Sequence, residues 1–210
     1  MRLSLLLLAG CPSLLTMGPA RTVPPGKAQE FVSAGAYRAT LVSGTPPEPV
    51  DRSVEWIPFA EAGVRFGLGE SVDLSIRAGT GGGSVGPRIQ VIRSATEDSG
   101  VDVLIDPSVG WTGFFPGDRE GVVTGMTVSL ALPVGWNLGG GSQLVLSPRV
   151  AVVNDRAVGT DAMAGASLGL VLALGTGPAS WLLTPECALA SSRRTGDPVL
   201  QCGLGLFWPR

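Results

Sequence analysis

Met126-Thr127-Val128-Ser129-Leu130-Ala131-Leu132-Pro133-Val134-Gly135-Trp136 alternates large apolar residues with small or polar ones. Successive side chains of a β-strand point to opposite faces, so this stretch reads as a strand with one apolar face and one small or polar face. The same period of two recurs on either side. Val72, Leu74, Ile76 and Ala78 alternate with Asp73, Ser75, Arg77 and Gly79. Leu144, Leu146, Pro148, Val150 and Val152 alternate with Gln143, Val145, Ser147, Arg149 and Ala151.

Glycine- and proline-rich turn signals separate these runs, among them Gly69-Glu70-Ser71, Gly79 to Gly83, Asn137 to Ser142 and Gly175 to Ser180. They divide the chain into about ten strands, near 29–42, 54–68, 72–79, 84–94, 101–114, 122–136, 143–153, 162–174, 181–192 and 198–208. Eight is the next count, and no helix is needed. Tight, glycine-rich connections largely alternate with longer or more charged ones such as Gly44–Arg52, Pro116–Gly121 and Asn154–Asp161.

The chain has 210 residues, of which only 15 % are charged and 31 are glycine. An ordinary soluble domain is about 25 % charged and about 7 % glycine. No apolar run reaches the roughly 20 residues of a membrane-crossing helix. The apolar residues therefore fill a core or cover the outside of a barrel. The face opposite the apolar one decides between these. It carries Glu61, Arg65, Asp73, Arg77, Arg88, Gln90, Asp102, Asp106, Arg149 and Glu186 at mid-strand positions, in phase with Gly63, Gly67, Ser75 and Ser129. Long charged side chains among small ones suit the crowded lumen of a narrow barrel, where they can pair with one another. The expected result is a structural plug of salt bridges rather than a conducting path, because ten strands enclose little space once side chains enter. The apolar face includes Trp56, Trp111, Trp136, Trp181 and Trp208, mostly near strand ends, where a membrane–water interface favours an apolar ring with a polar N–H.

From about residue 28 onward this pattern resembles bacterial outer-membrane β-barrel proteins. The resemblance implies an antiparallel up-and-down transmembrane barrel over 29–210, embedded in the lipid bilayer of the outer membrane. Leu204-Gly205-Leu206-Phe207-Trp208 is similar to the aromatic last strand that the family's insertion machinery reads, although Pro209-Arg210 follows it.

The chain opens with Met1-Arg2, an apolar stretch Leu3–Leu8, and Leu8-Ala9-Gly10-Cys11, which resembles the lipobox of bacterial lipoproteins. That resemblance implies acylation of Cys11 and cleavage before it. Ordinary cleavage near Gly18-Pro19-Ala20 and an uncleaved apolar N-terminus are the alternatives. Residues 1–20 are accordingly read as an export region and 21–28, with Pro24-Pro25-Gly26, as an extended linker. A hairpin centred on Arg194-Thr195 sets Cys187 opposite Cys202 on the outward face, so a cross-strand disulfide is expected, with two reduced thiols as the alternative.

Signals of chemistry are few. The sequence has no histidine, which excludes a Ser-His-Asp triad. Two cysteines without histidine or a second thiol pair make no zinc site. Gly79-Thr80-Gly81-Gly82-Gly83-Ser84 lacks the lysine and helix of a phosphate loop. A formal net charge of −2 with no basic run points to no nucleic-acid partner. The expectation is a non-enzymatic outer-membrane barrel without cofactor or metal, an envelope structural protein or narrow channel. Two alternatives are a tethered periplasmic barrel holding a small apolar ligand and a binding module acting through its surface loops.

Overall fold

A computed structural model describes residues 13–43, 51–96, 98–114, 122–155, 159–175, 180–193, 196 and 198–209. The lipobox and Cys11 lie outside the described residues. The described residues form strands and connections only: β1 (Ala28–Ser43), β2 (Asp51–Gly69), β3 (Val72–Gly79), β4 (Gly82–Ile92), β5 (Val101–Phe114), β6 (Val122–Ala131), β7 (Val134–Gly139), β8 (Ser142–Asp155), β9 (Gly159–Leu174), β10 (Trp181–Ser192) and β11 (Pro198–Pro209).

All pairings are antiparallel, between chain neighbours except that β5 pairs both β6 and β7 and β8 pairs both as well, and β1 pairs β11, so the sheet closes on itself. β6 and β7 are two halves of one stave. Pro133 has no N–H for the ladder, and the chain steps there. Its carbonyl takes the N–H of Leu104 while Leu132 donates to Pro148, both at 2.9 Å, which ties both halves into the wall. The structure is thus an all-β, closed, antiparallel ten-stave barrel, with both sequence-neighbour pairing and even parity as the turn signals imply.

The lower rim is the end that carries Ala28 and Pro209. Connections there are tight at Glu70–Ser71 and Gly140–Gly141, where Gly140 and Gly141 have φ of 60° and 78°. The upper rim is cut low at the β3–β4 hairpin, because Gly79 reaches only Glu61 while β2 continues upward to Asp51 against β1. Cys187 and Cys202 are register partners with Cα atoms 4.1 Å apart, and they are disulfide-bonded on the outward face.

Burial is inverted relative to a water-soluble barrel. Large apolar side chains stand outside, with Leu68 65 %, Met126 67 % and Val128 59 % exposed. Arg65, Asp73, Arg88 and Asp102 are 0 % exposed inside. All five tryptophans point outward or lie half-buried in the wall. Trp136, Trp181 and Trp208 lie towards the lower rim, with Trp181 and Trp208 in tilted contact at 5.7 Å, and Trp56 and Trp111 lie towards the upper rim. Trp56 and the outward Phe66 share β2 ten positions apart, about 33 Å along a strand and about 25 Å along the axis for a tilt near 40°.

Candidate functional site: the lumen and the segment inside it

Residues 13–23 run through the lumen. The chain descends from Ser13 to Val23, reverses at Pro24-Pro25-Gly26-Lys27 on the lower rim, and enters the wall as β1. The reversal is closed by Lys27 N–H donating to Pro24 O at 3.1 Å. It is pinned to β2 by Gly26 N–H to Gly67 O and Gly67 N–H to Lys27 O, both 2.9 Å. The stretch 21–28, read from sequence as an extended linker, lies in and under the lumen. Proline and glycine in the sequence mark the reversal; they cannot show which side of the wall the chain takes.

The lumen holds this segment by its backbone. Going down, the N–H of Leu14 donates to Gln201 Oε1, and those of Thr16 and Met17 to the two carboxylate oxygens of Glu186, all at 2.7 Å. The N–H of Ala20 goes to Gln143 Oε1 at 2.7 Å, that of Thr22 to Gln90 Oε1 at 2.9 Å and that of Val23 to Asp73 Oδ2 at 2.9 Å. The carbonyls are met by cations and an amide. Arg149 donates to Ser13 O at 2.5 Å, and Arg77 donates to Leu15 O and Thr16 O at 2.9 Å each. Arg65 donates to Met17 O, Arg88 to Pro19 O at 2.7 Å, and Gln90 Nε2 to Ala20 O at 3.3 Å. Pro19 sits where no N–H is required. A buried backbone group left without a partner costs free energy comparable to a lost hydrogen bond, so these side chains make an otherwise prohibitive burial tolerable.

Side chains add apolar contact. Leu14, Leu15 and Met17 pack with Phe31, Phe207, Met163, Ala188, Ala190 and Val199, and lower down Ala20 packs with Leu104, Val145 and Val171. Phe31 and Phe207 stack at 4.9 Å, with the Arg65 guanidinium 4.9 Å from the Phe207 ring centroid. Glycines clear the path. A Cβ on Gly67 would lie 2.0 Å from Pro24 O, and one on Gly203 would lie 2.9 Å from Leu15 Cδ1 and Met17 Cε. The segment kinks at Met17 and Gly18, with φ of 43° and 95°. Met17 is the one non-glycine residue with positive φ among the described residues. Such a conformation persists only where surroundings over-determine it, and here Glu186 holds the two N–H groups and Arg65 the carbonyl.

The ten polar residues singled out from sequence are all brought to this lumen, and five of the nine charged ones pair with one another. Direct ion pairs among them are Arg88–Asp73 at 3.3 Å, Arg88–Asp106 at 3.9 Å and Arg77–Glu61 at 3.9 Å. Asp102 instead binds Arg21 of the segment at 3.0 Å, and also accepts from Ser94, Asn137 and Gln143. Arg65, Arg149 and Glu186 reach the segment backbone. The lumen thus holds these ion pairs together with a peptide, and several of the same charges cradle it. The lumen also takes in Gln201 and Phe31, which the sequence reading does not single out, and Gln143 and Phe207, which it names only within strand patterns. Each is in phase with small or polar inward residues on its own strand, for example Phe31 with Ser33 and Gly35, and that phase was the available signal.

Above Ser13 a cavity of about 70 Å³ opens towards the upper rim, lined by Tyr37, Glu61, Asp106, Thr127 and Arg149. Ser75 Oγ, Thr127 Oγ1 and Arg149 Nε border it without a protein partner. These polar groups and the volume suit a few waters. Segment 13–23 closes it from below. Among the described residues no group of carboxylates and cysteines is arranged to hold a metal ion.

No family model matches the chain, and no curated protein matches it by sequence. Among solved structures, a bacterial polysaccharide outer membrane secretin superposes with a TM-score of 0.46 at 10 % identity, over 89 % of this chain and 99 % of that one. Ail, the attachment invasion locus protein of Yersinia pestis, gives 0.26 at 9 % identity over the same shares. These likenesses are too loose to carry an argument about function.

Proposed function

We propose that this chain is a non-enzymatic outer-membrane β-barrel, an envelope structural protein whose lumen is closed by its own N-terminal segment. The observation that carries the reading is the inverted burial: charged Arg65, Asp73, Arg88 and Asp102 at 0 % exposure inside, and Leu, Val, Met and Trp outside. In water the outer face would be a continuous apolar patch far above the few hundred Å² a soluble protein exposes; in a bilayer it is the required face. The same inversion speaks against a soluble periplasmic barrel holding an apolar ligand, since the lumen is lined by charge and already occupied. Channel activity would be confined to the small upper cavity while the segment is in place. Aromatic residues at both ends of the wall fit the two interfaces of an outer membrane, and Trp208 on β11 fits a terminal signal for the insertion machinery.

The test is electrophoresis of a washed outer-membrane fraction, unheated and boiled in detergent. A band in that fraction that changes mobility on boiling is expected. A water-soluble protein with no such shift would end the membrane reading.

A further inference from the structure

We propose that the lumen is a binding groove for an extended polypeptide, that its occupant is this chain's own residues 13–23, and that export leaves this segment on the mature protein. The inference rests on the barrel reading above. The groove recognises a backbone: the N–H groups of Leu14, Thr16, Met17, Ala20, Thr22 and Val23 and the carbonyls of Ser13, Leu15, Thr16, Met17, Pro19 and Ala20 all have lumen side chains as partners. Gly67 and Gly203 lack side chains where the segment and its apolar groups pass. Those features belong to different strands and converge on one path through the lumen.

The groove discriminates between two maturation routes. Hydrolysis after Ala20 by an ordinary signal peptidase would take away Ser13 to Ala20. It would strand Glu186, Arg77 and Gln201 without the backbone they hold, and uncover the Phe31–Phe207 stack to water. Hydrolysis of the Gly10–Cys11 bond leaves the whole cradle satisfied. In either case water adds OH to the leader's new carboxyl end and H to the new α-amine, so only the position of the cut differs. The geometry selects retention of residues 13–23, so any cut falls upstream of Ser13.

Two measurements on full-length protein extracted from outer membranes test this. The mass of the N-terminal peptide should place the first residue at or before Ser13. A mature chain beginning at Arg21, or anywhere within 14–23, overturns the proposal. For occupancy, Thr16→Cys with Ser147→Cys places two thiols where the hydroxyl oxygens are 2.6 Å apart. After mild oxidation both should be protected from alkylation in the unreduced, unfolded chain. Free thiols in protein that still shows the heat-dependent mobility shift would overturn occupancy while leaving the barrel intact. Loss of the shift itself would instead count against the barrel reading.

Discussion

Replacing Glu186 by alanine should loosen the lumen segment without opening the barrel wall. Glu186 is 7 % exposed and accepts the N–H groups of Thr16 and Met17, each at 2.7 Å. Alanine leaves both donors buried without a partner, at about 1–3 kcal/mol each, or about 2–6 kcal/mol for the pair. The same two bonds hold Met17 at its positive φ, so the kink loses its support as well. The wall loses little, because the backbone ladder of β10 with β9 and β11 does not involve the carboxylate. If the segment opens and closes locally, a loss of 2–6 kcal/mol raises its open population by roughly 30-fold to 10⁴-fold. Hydrogen–deuterium exchange read by mass spectrometry on the peptide spanning 13–23 measures that directly, with peptides from β8 and β9 as internal controls. Exchange at 13–23 should accelerate by that factor while the controls stay unchanged. Equal exchange in wild type and variant would refute the cradle argument, and equal acceleration everywhere would mean that Glu186 supports the wall instead.

Further outcomes follow from the same geometry. Gly18→Ala puts a Cβ 2.6 Å from Arg65 Nη1 at a φ of 95°, and the backbone alone costs about 1–2 kcal/mol; segment exchange should rise while the heat-dependent gel shift is kept. Leu130→Arg, at a side chain 47 % exposed on the outer face, should cost about 2–4 kcal/mol near the bilayer midplane and reduce assembly into the outer membrane. Ser129→Arg, on the neighbouring inward position that bonds Ser108, should assemble better, as judged by the yield of heat-shifting protein. Deleting residues 13–23 should convert a closed barrel into one with measurable planar-bilayer conductance, and unchanged closure would mean that the wall side chains alone block the lumen. Reducing Cys187–Cys202, which closes a sequence separation of 15, should remove about 3 kcal/mol and lower the temperature of the gel-shift transition.

Much of the wall was legible because it depends on local order. Alternation in 126–136 placed Met126, Val128 and Leu130 on one face and Thr127 and Ser129 on the other, and that division survives the break at Pro133. Strand ends were legible at glycine pairs such as Gly140–Gly141, where the backbone must take positive φ. A hairpin register could be counted from Arg194-Thr195, and Cys187 does pair with Cys202. The contents of the lumen were less legible. Leu14-Leu15 and Pro19 carry the same composition whether they belong to an export leader, a linker or a peptide threaded through a barrel. Glu186 and Gln201 give no local sign that their partners are backbone groups about 170 to 190 positions away.

The sequence by itself determined an all-β, closed, even-stave barrel with one apolar and one charged face, because period-two alternation and turn chemistry act between neighbours along the chain. Only the tertiary structure decided that the charged face, besides pairing within itself, cradles residues 13–23. Hydrogen-bond partners in a lumen are chosen by which groups closure brings within 3 Å, and closure sets side by side residues that no local pattern connects.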